Sequence, residues 1–173
     1  MSKKTVPLAI FASSRSDGNT RKVLETAQGN RHFDFVDLSE LNIAYYDYEH
    51  RNADDDFIPL AEKMQEYQTL ILVSPVYWNT MSALMKTFID RFSDLLTIRK
   101  DLGRGLKGKR VYVVCSYETS FPAGFEEAFR STCDYMEMRY GGCLFHYCGN
   151  DAALLESNAE AVAHFQHLID LSS

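Results

Sequence analysis

The sequence predicts a doubly wound α/β fold, in which one five-stranded parallel sheet is covered by helices on both faces. Three observations predict it. Short apolar, β-branched or aromatic runs alternate along the chain with stretches of helical spacing. These runs are almost continuously apolar, as strands buried on both faces must be. No linker, repeat or low-complexity segment interrupts the alternation, and the chain is read as a single domain over 1–173. Its 173 residues, 46% hydrophobic and 24% charged, are enough to bury one sizeable core.

The strands are expected at Leu8–Ala12, Phe33–Leu38, Leu70–Ser74, Val111–Cys115 and Cys143–Tyr147. Proline has no amide to donate to a ladder, so the first strand starts at Pro7 or Leu8. Pro59 marks a helix start, followed by a weak stripe of Leu60, Ala61, Met64 and Tyr67. The strongest stripe runs through Met81, Leu84, Met85, Phe88, Ile89, Phe92, Leu95 and Leu96, at steps of three and four, and predicts one helix facing the sheet. Phe125, Ala128, Phe129 and Cys133 repeat the pattern after Gly124, and Val162, Phe165, Leu168 and Ile169 repeat it in the last helix.

Composition excludes several function classes. Lys+Arg 18 against Asp+Glu 24 leaves a formal charge of −6, which argues against a general attraction to nucleic acid or an anionic membrane while permitting a local basic pocket. The apolar stretch Val6–Ala12 is too short for a signal sequence or a membrane span, and a cytoplasmic location is expected. Cys115, Cys133, Cys143 and Cys148 form no C-x-x-C pair and read as reduced, small core or half-buried residues. His164 and His167 read as a solvated helix face, so no metal centre is expected. The tract Asn52-Ala-Asp-Asp-Asp56 reads as a solvated loop ending in a helix cap, in preference to an acidic cation site, because adjacent aspartates seldom converge on one ion.

Two loops carry the chemistry. The first strand opens into Ser13-Ser-Arg-Ser-Asp-Gly-Asn-Thr20 before a helix pattern. Amides at a helix N-terminus bind phosphate, helped by the helix dipole, and small hydroxyls add donors without bulk. An ordinary loop with a helix cap at Asn19 or Thr20 is the alternative. No G-x-x-x-x-G-K-[ST] is present, which argues against a P-loop nucleotide site. Gly103-Arg-Gly-Leu-Lys-Gly108 matches G-x-G-x-x-G in letters, but it leaves a helix and precedes a strand, the reverse of the dinucleotide fingerprint, and reads as a flexible connection. After the third strand, Ser74-Pro-Val-Tyr-Trp-Asn79 places Tyr77 and the only tryptophan, Trp78, at the strand's carboxyl end. Two aromatics there can wall a planar ligand, or lie partly buried in the core or a subunit interface. In the strand order 2-1-3-4-5, the first and third strands flank the point where the winding reverses, so both loops share one crevice.

Ser13-Ser-Arg-x-x-Gly-Asn-Thr20 and Ser74-Pro-Val-Tyr-Trp, with Ala83-Leu-Met-Lys-x-Phe-Ile-Asp-Arg91, resemble the NAD(P)H-dependent FMN reductase group of flavodoxin-like oxidoreductases. The resemblance runs from the first strand to the last helix and implies a flavodoxin-like three-layer α/β/α sandwich. It implies FMN, with the phosphate held by Ser13, Arg15, Gly18, Asn19 and Thr20. The ring would lie near Pro75, Val76, Tyr77, Trp78 and Asn79, with Ser116, Tyr117 and Glu118 closing the other side. NADH or NADPH is implied as co-substrate, with a small-molecule electron acceptor such as a quinone, an azo compound or free flavin, and a homodimer or homotetramer as the assembly. Amides of the Pro75–Asn79 loop are expected to stabilise charge on the reduced ring.

The chain departs from the family pattern at Ala12 and Asn79, where glycine is usual, although asparagine tolerates positive φ. It carries no cysteine between Leu41 and Gln68, so no iron–sulfur cluster is expected. No Ser-His-Asp or Cys-His constellation is legible, and the hard chemistry falls to the cofactor. Two alternatives stay open at this point. One is a flavodoxin-type electron carrier without its own NAD(P)H turnover, and the other a cofactor-free regulatory or interaction protein that keeps the fold.

Overall fold

The computed structural model of the chain describes residues 3–171. Its parallel sheet has the order β2-β1-β3-β4-β5, formed by β1 (Leu8–Phe11), β2 (Asp34–Asp37), β3 (Thr69–Pro75), β4 (Arg110–Tyr117) and β5 (Arg139–Tyr147). This is the flavodoxin-like order. Every residue of β1 and β3 is buried, because both strands lie inside a sheet covered on both faces, and so neither sequence alternates with polar residues. Pro7 stands just outside the ladder, with its carbonyl accepting the Asp34 amide at 2.9 Å. β5 begins four residues before its apolar run, across a bulge opposite Val111 and Tyr112.

Side chains alternate across the sheet. Ala9, Phe11, Ile71 and Val73 pack with Val23, Leu24 and Ala27 of α1 (Asn19–Gln28) and with Phe165 and Ile169 of α7 (Ala152–Asp170). Leu8, Ile10, Leu70 and Leu72 face the other layer. That layer is built from α2 (Phe57–Gln65), α3 (Ala83–Asp90), α4 (Phe92–Thr97), α5 (Lys100–Leu106) and α6 (Phe125–Tyr135). His164 and His167 are exposed on α7, as their spacing suggested.

The Met81–Leu96 stripe is two helices, not one. α3 ends at Asp90 and α4 starts at Phe92, while Met81 is buried ahead of the N-cap Ser82. The break falls at Arg91, whose side chain is fully buried. Its Nε donates to Asp94 Oδ2 at 2.7 Å, its Nη1 pairs with Asp55 and donates to the Ala44 carbonyl at 3.1 Å, and its guanidinium lies 4.9 Å from the Phe57 ring centroid. His50 Nδ1 donates to the other oxygen of Asp94 at 2.9 Å.

The 52–56 tract is therefore no simple solvated loop. Asp55 pairs with the buried cation and accepts the amides of Ala44 and Phe57, each at 2.9 Å, so its carboxylate also meets the first amide of α2. Asp56 turns away to the Asn42 amide at 2.7 Å. Burial works against the charge on Asp55, but the bonds from Arg91 and the two amides outweigh it and hold the carboxyl below the usual range.

Gly103-Arg-Gly-Leu-Lys-Gly108 also departs from its reading as a flexible connection. Residues 103–106 are helical, and Gly103 is buried where an added Cβ would come within 2.3 Å of the Leu95 carbonyl oxygen. Close packing of α5 on α4 requires the glycine here and overrides its poor helix propensity. The Arg91→Met variant would leave Asp55 and Asp94 buried without their cation. Its unfolding free energy in urea is expected to fall by about 3–5 kcal/mol, and a loss below about 1 kcal/mol would show the network to be dispensable.

Candidate active site

The site forms where β1 and β3 part. Beyond their last paired residues, Phe11 and Val73, the Ala12 amide still donates to the Val73 carbonyl at 2.9 Å. The chain then leaves β1 for α1 on one face and β3 for α3 on the other. Ser82 fastens this fork. Its hydroxyl donates to the Ala12 carbonyl at 2.6 Å and accepts the Met85 amide at 3.1 Å as the N-cap of α3, and its own amide donates to Ser74 Oγ at 2.9 Å. Ala12 is not among the residues with positive φ, so its methyl group carries no backbone strain there.

A cavity of about 380 Å³ opens at this fork. Ser13, Arg15, Gly18, Asn19 and Thr20 line one side, Pro75, Val76 and Tyr77 a second, and Ser116, Tyr117, Glu118 and Thr119 the third. Of the residues predicted from sequence, all but Trp78 and Asn79 therefore meet in one place. Those two sit in an adjoining cleft of about 310 Å³ that shares Val76, Tyr117, Glu118 and Thr119.

Trp78 thus stands in the adjoining cleft and not in the cavity that Tyr77 lines. Tyr77 and Thr80 exchange backbone hydrogen bonds at 2.9 and 3.1 Å around a two-residue turn, and both central residues have positive φ, 49° at Trp78 and 65° at Asn79. The two positive φ values define a mirror-image turn, and Trp78 at its tip is 97% exposed. Asn79 adopts the positive φ expected of it. The amides of Val76 and Tyr77 are already taken, by the Ser116 and Thr80 carbonyls at 2.9 Å each. The turn therefore offers only the Trp78 and Asn79 amides, which have no backbone acceptor among the described residues.

Neither Asn19 nor Thr20 caps α1, since both lie inside it. The N-cap is Gly18, which has no side chain to accept the leading amides. Thr20 Oγ1 instead bonds Ser116 Oγ at 2.8 Å in a buried pair, and Asn19 Nδ2 donates to Glu118 Oε1 at 2.9 Å. The Arg15 guanidinium folds over Gly18, its Nε 3.4 Å from where a Cβ would stand, and no carboxylate pairs with it among the described residues. Ser14 Oγ and Tyr77 OH, 2.9 Å apart, join the loop after β1 to the loop after β3. Uncapped amides, small hydroxyls and one free guanidinium form a donor set that fits a phosphate. Tyr77 and Tyr117 give the rest of the cavity an aromatic lining.

The nearby Cys148 and His146 are 3.7 Å apart from Sγ to Nδ1. Burial raises the Cys148 thiol and lowers the His146 imidazole, driving both to the neutral form. That is the opposite of an activated thiolate–imidazolium pair. Burial also holds Cys143 well above the usual thiol range. Sequence reasoning missed the roles of Ser74 and Ser82 in fastening the fork. A serine directly before the Leu84–Met85 stripe was the available signal for an N-cap.

The His146 shift sets a pH window. Because its folded pKa lies below the usual 6.5, the unfolded chain takes up the proton first as the pH falls. Stability from this group is thus full above the unfolded value and lost below it. The unfolding free energy is expected to decline from about pH 7 to about pH 5, and His146→Gln to flatten that decline. Equal slopes in the two proteins would contradict the assignment.

Residues 7–147 match the model of a family described as NADPH-dependent FMN reductase. A protein of Bacillus subtilis (strain 168), whose name describes an NAD(P)H-dependent FMN-containing oxidoreductase, is 30% identical over 113 residues. That match covers 61% of this chain and 62% of the relative, less than two thirds of its length. The solved Trp repressor binding protein from Bacillus subtilis superposes with a TM-score of 0.74 at 22% identity, over 96% of this chain and 99% of the other. An FMN-dependent NADH-azoreductase from Bacillus anthracis, solved in complex with FMN, superposes with a TM-score of 0.67 at 10% identity, over 96% of this chain and 100% of the other. At such identities the two structures attest the fold alone.

Proposed function

The chain belongs to the NADPH-dependent FMN reductase family, and from that premise we propose that it is an FMN-dependent oxidoreductase, taking hydride from NADH or NADPH and passing electrons to a small acceptor such as a quinone, an azo compound or free flavin. The observation that carries this reading is the meeting, in one cavity, of an uncapped helix N-terminus, an unpaired arginine and an aromatic lining. FMN needs all three, for its phosphate and for its ring.

When bound, FMN supplies the two-electron chemistry, and the protein supplies grip, orientation and shielding. The leading amides of α1, the Ser13 hydroxyl and Arg15 would hold the phosphate, with Gly18 letting it approach the backbone. Thr20 acts from beneath, since its bond to Ser116 holds the start of α1 against the end of β4. Pro75, Val76 and Tyr77 would line one side of the ring and Tyr117 the other. Tyr117 is itself braced by Tyr147 and Phe121, at centroid separations of 5.4 and 5.9 Å. The Trp78 and Asn79 amides are the donors left in the turn for charge that develops on the ring. No side chain of the cavity is assigned as a general acid or base.

We extend the proposal to a homodimer or homotetramer. Trp78, Tyr48 and Tyr45, exposed by 97%, 84% and 80%, leave large aromatic area that a neighbouring copy would cover. Light scattering is then expected to give a mass of two or four times 19.8 kDa.

The activity is tested by adding FMN to the purified protein under anaerobic conditions, followed by NADH or NADPH. The flavin absorption bands are expected to bleach and to recover when a quinone is added. Bound flavin that does not bleach would contradict the enzyme, and protein that takes up no flavin would contradict the site. The Arg15→Gln variant is expected to bind FMN about tenfold more weakly, since it loses a charge-assisted bond to phosphate.

A further inference from the structure

The cavity mouth is crossed by a carboxylate at the end assigned above to a phosphate. Glu118 leaves the end of β4, and its side chain reaches Asn19, the first residue of α1. The Thr20–Ser116 bond joins α1 to β4 itself, one residue further along the helix and two residues earlier in the chain on the strand side. The two bonds differ in kind. The buried hydroxyl pair belongs to the floor of the cavity, whereas the exposed pair exchanges readily with water and with a ligand.

The Glu118 backbone has little freedom to withdraw. Its carbonyl oxygen lies against Gly149, where an added Cβ would come within 2.5 Å, and the adjacent Tyr117 carbonyl accepts the Cys148 amide at 2.7 Å. The carboxylate is thus presented to the helix N-terminus by a fixed support, in the place where the helix dipole favours an anion. No cation among the described residues forms an ion pair with it, and Arg15, on another side of the same cavity, pairs with no carboxylate among them. One positive and one negative side chain therefore flank the position of the phosphate.

Building on the proposed function, we infer that Glu118 is an internal competitor for the phosphate: held on Asn19, its carboxylate weakens the binding of FMN relative to riboflavin and makes FMN an exchanging ligand of this protein. The electrostatic character of the effect separates it from a steric one. A charge acts on the dianionic phosphate through several ångströms and is weakened by salt, and the phosphate-free flavin does not feel it.

Glu118→Gln keeps an acceptor oxygen for Asn19 and removes the charge. FMN and riboflavin are titrated into flavin-free wild-type and variant protein, with flavin fluorescence quenching as the readout, at about 20 mM and about 300 mM salt. The FMN Kd is expected to fall about fivefold or more in the variant at low salt, with a smaller gain at high salt, and the riboflavin Kd to change less than about twofold. An unchanged or raised FMN Kd overturns the inference, as does an equal gain for both flavins. If wild-type protein binds FMN and the variant binds it no better, only this inference falls. If neither protein binds either flavin, the proposed function falls as well.

Discussion

The buried hydroxyl of Ser82 donates to the Ala12 carbonyl at 2.6 Å while receiving the Met85 amide at 3.1 Å, and the amide of the same residue reaches Ser74 at 2.9 Å. These bonds lie where β1 and β3, paired through Phe11 and Val73, send the chain to opposite faces of the sheet. A parallel sheet that reverses its winding has such a gap at the strand ends, with orphan backbone groups on both sides. Ser74 and Ser82 satisfy the inner groups and close the gap from below. The groups further out, at the start of α1 and in the turn after β3, are left to face the cavity.

A second constraint holds the wall of the site in place. α3 is fixed at its start by Ser82 and at its end by Arg91, which turns inward to Asp94 and Asp55. The same arginine takes the Ala44 carbonyl, so the segment after β2 is bound to the helix that follows β3. The sheet edge and the site loop are thereby linked through one buried cation. The site itself rests on hydroxyls, amides and aromatic rings, and its nearby thiols and His146 are kept neutral by burial. An architecture of this kind orients a cofactor and leaves the reaction to it.

The parts of this arrangement that were legible in the sequence depend on neighbours close in the chain. β1 and β3 were visible because strands buried on both faces do not alternate with polar residues, and the Ser13–Thr20 loop because small polar residues interrupt that apolar pattern abruptly. The missed features depend on residues far apart. Arg91 and Asp55 are separated by 36 positions, and nothing near either one shows that it is buried. Gly103 looked like a loop residue because its need for glycine comes from the Leu95 carbonyl on another helix. The turn made by Tyr77 and Thr80, which sets Trp78 in the adjoining cleft, has none of the glycine that usually announces it.

The central claim is that the fork between β1 and β3 holds FMN, and the most direct measurement is NMR mapping of backbone amide shifts as FMN is titrated into the protein. Shifts concentrated in residues 13–20, 75–79 and 116–119 are the predicted result. Shifts centred on the apolar groove between Leu41, Ile43 and Leu84, with the fork unaffected, would contradict it.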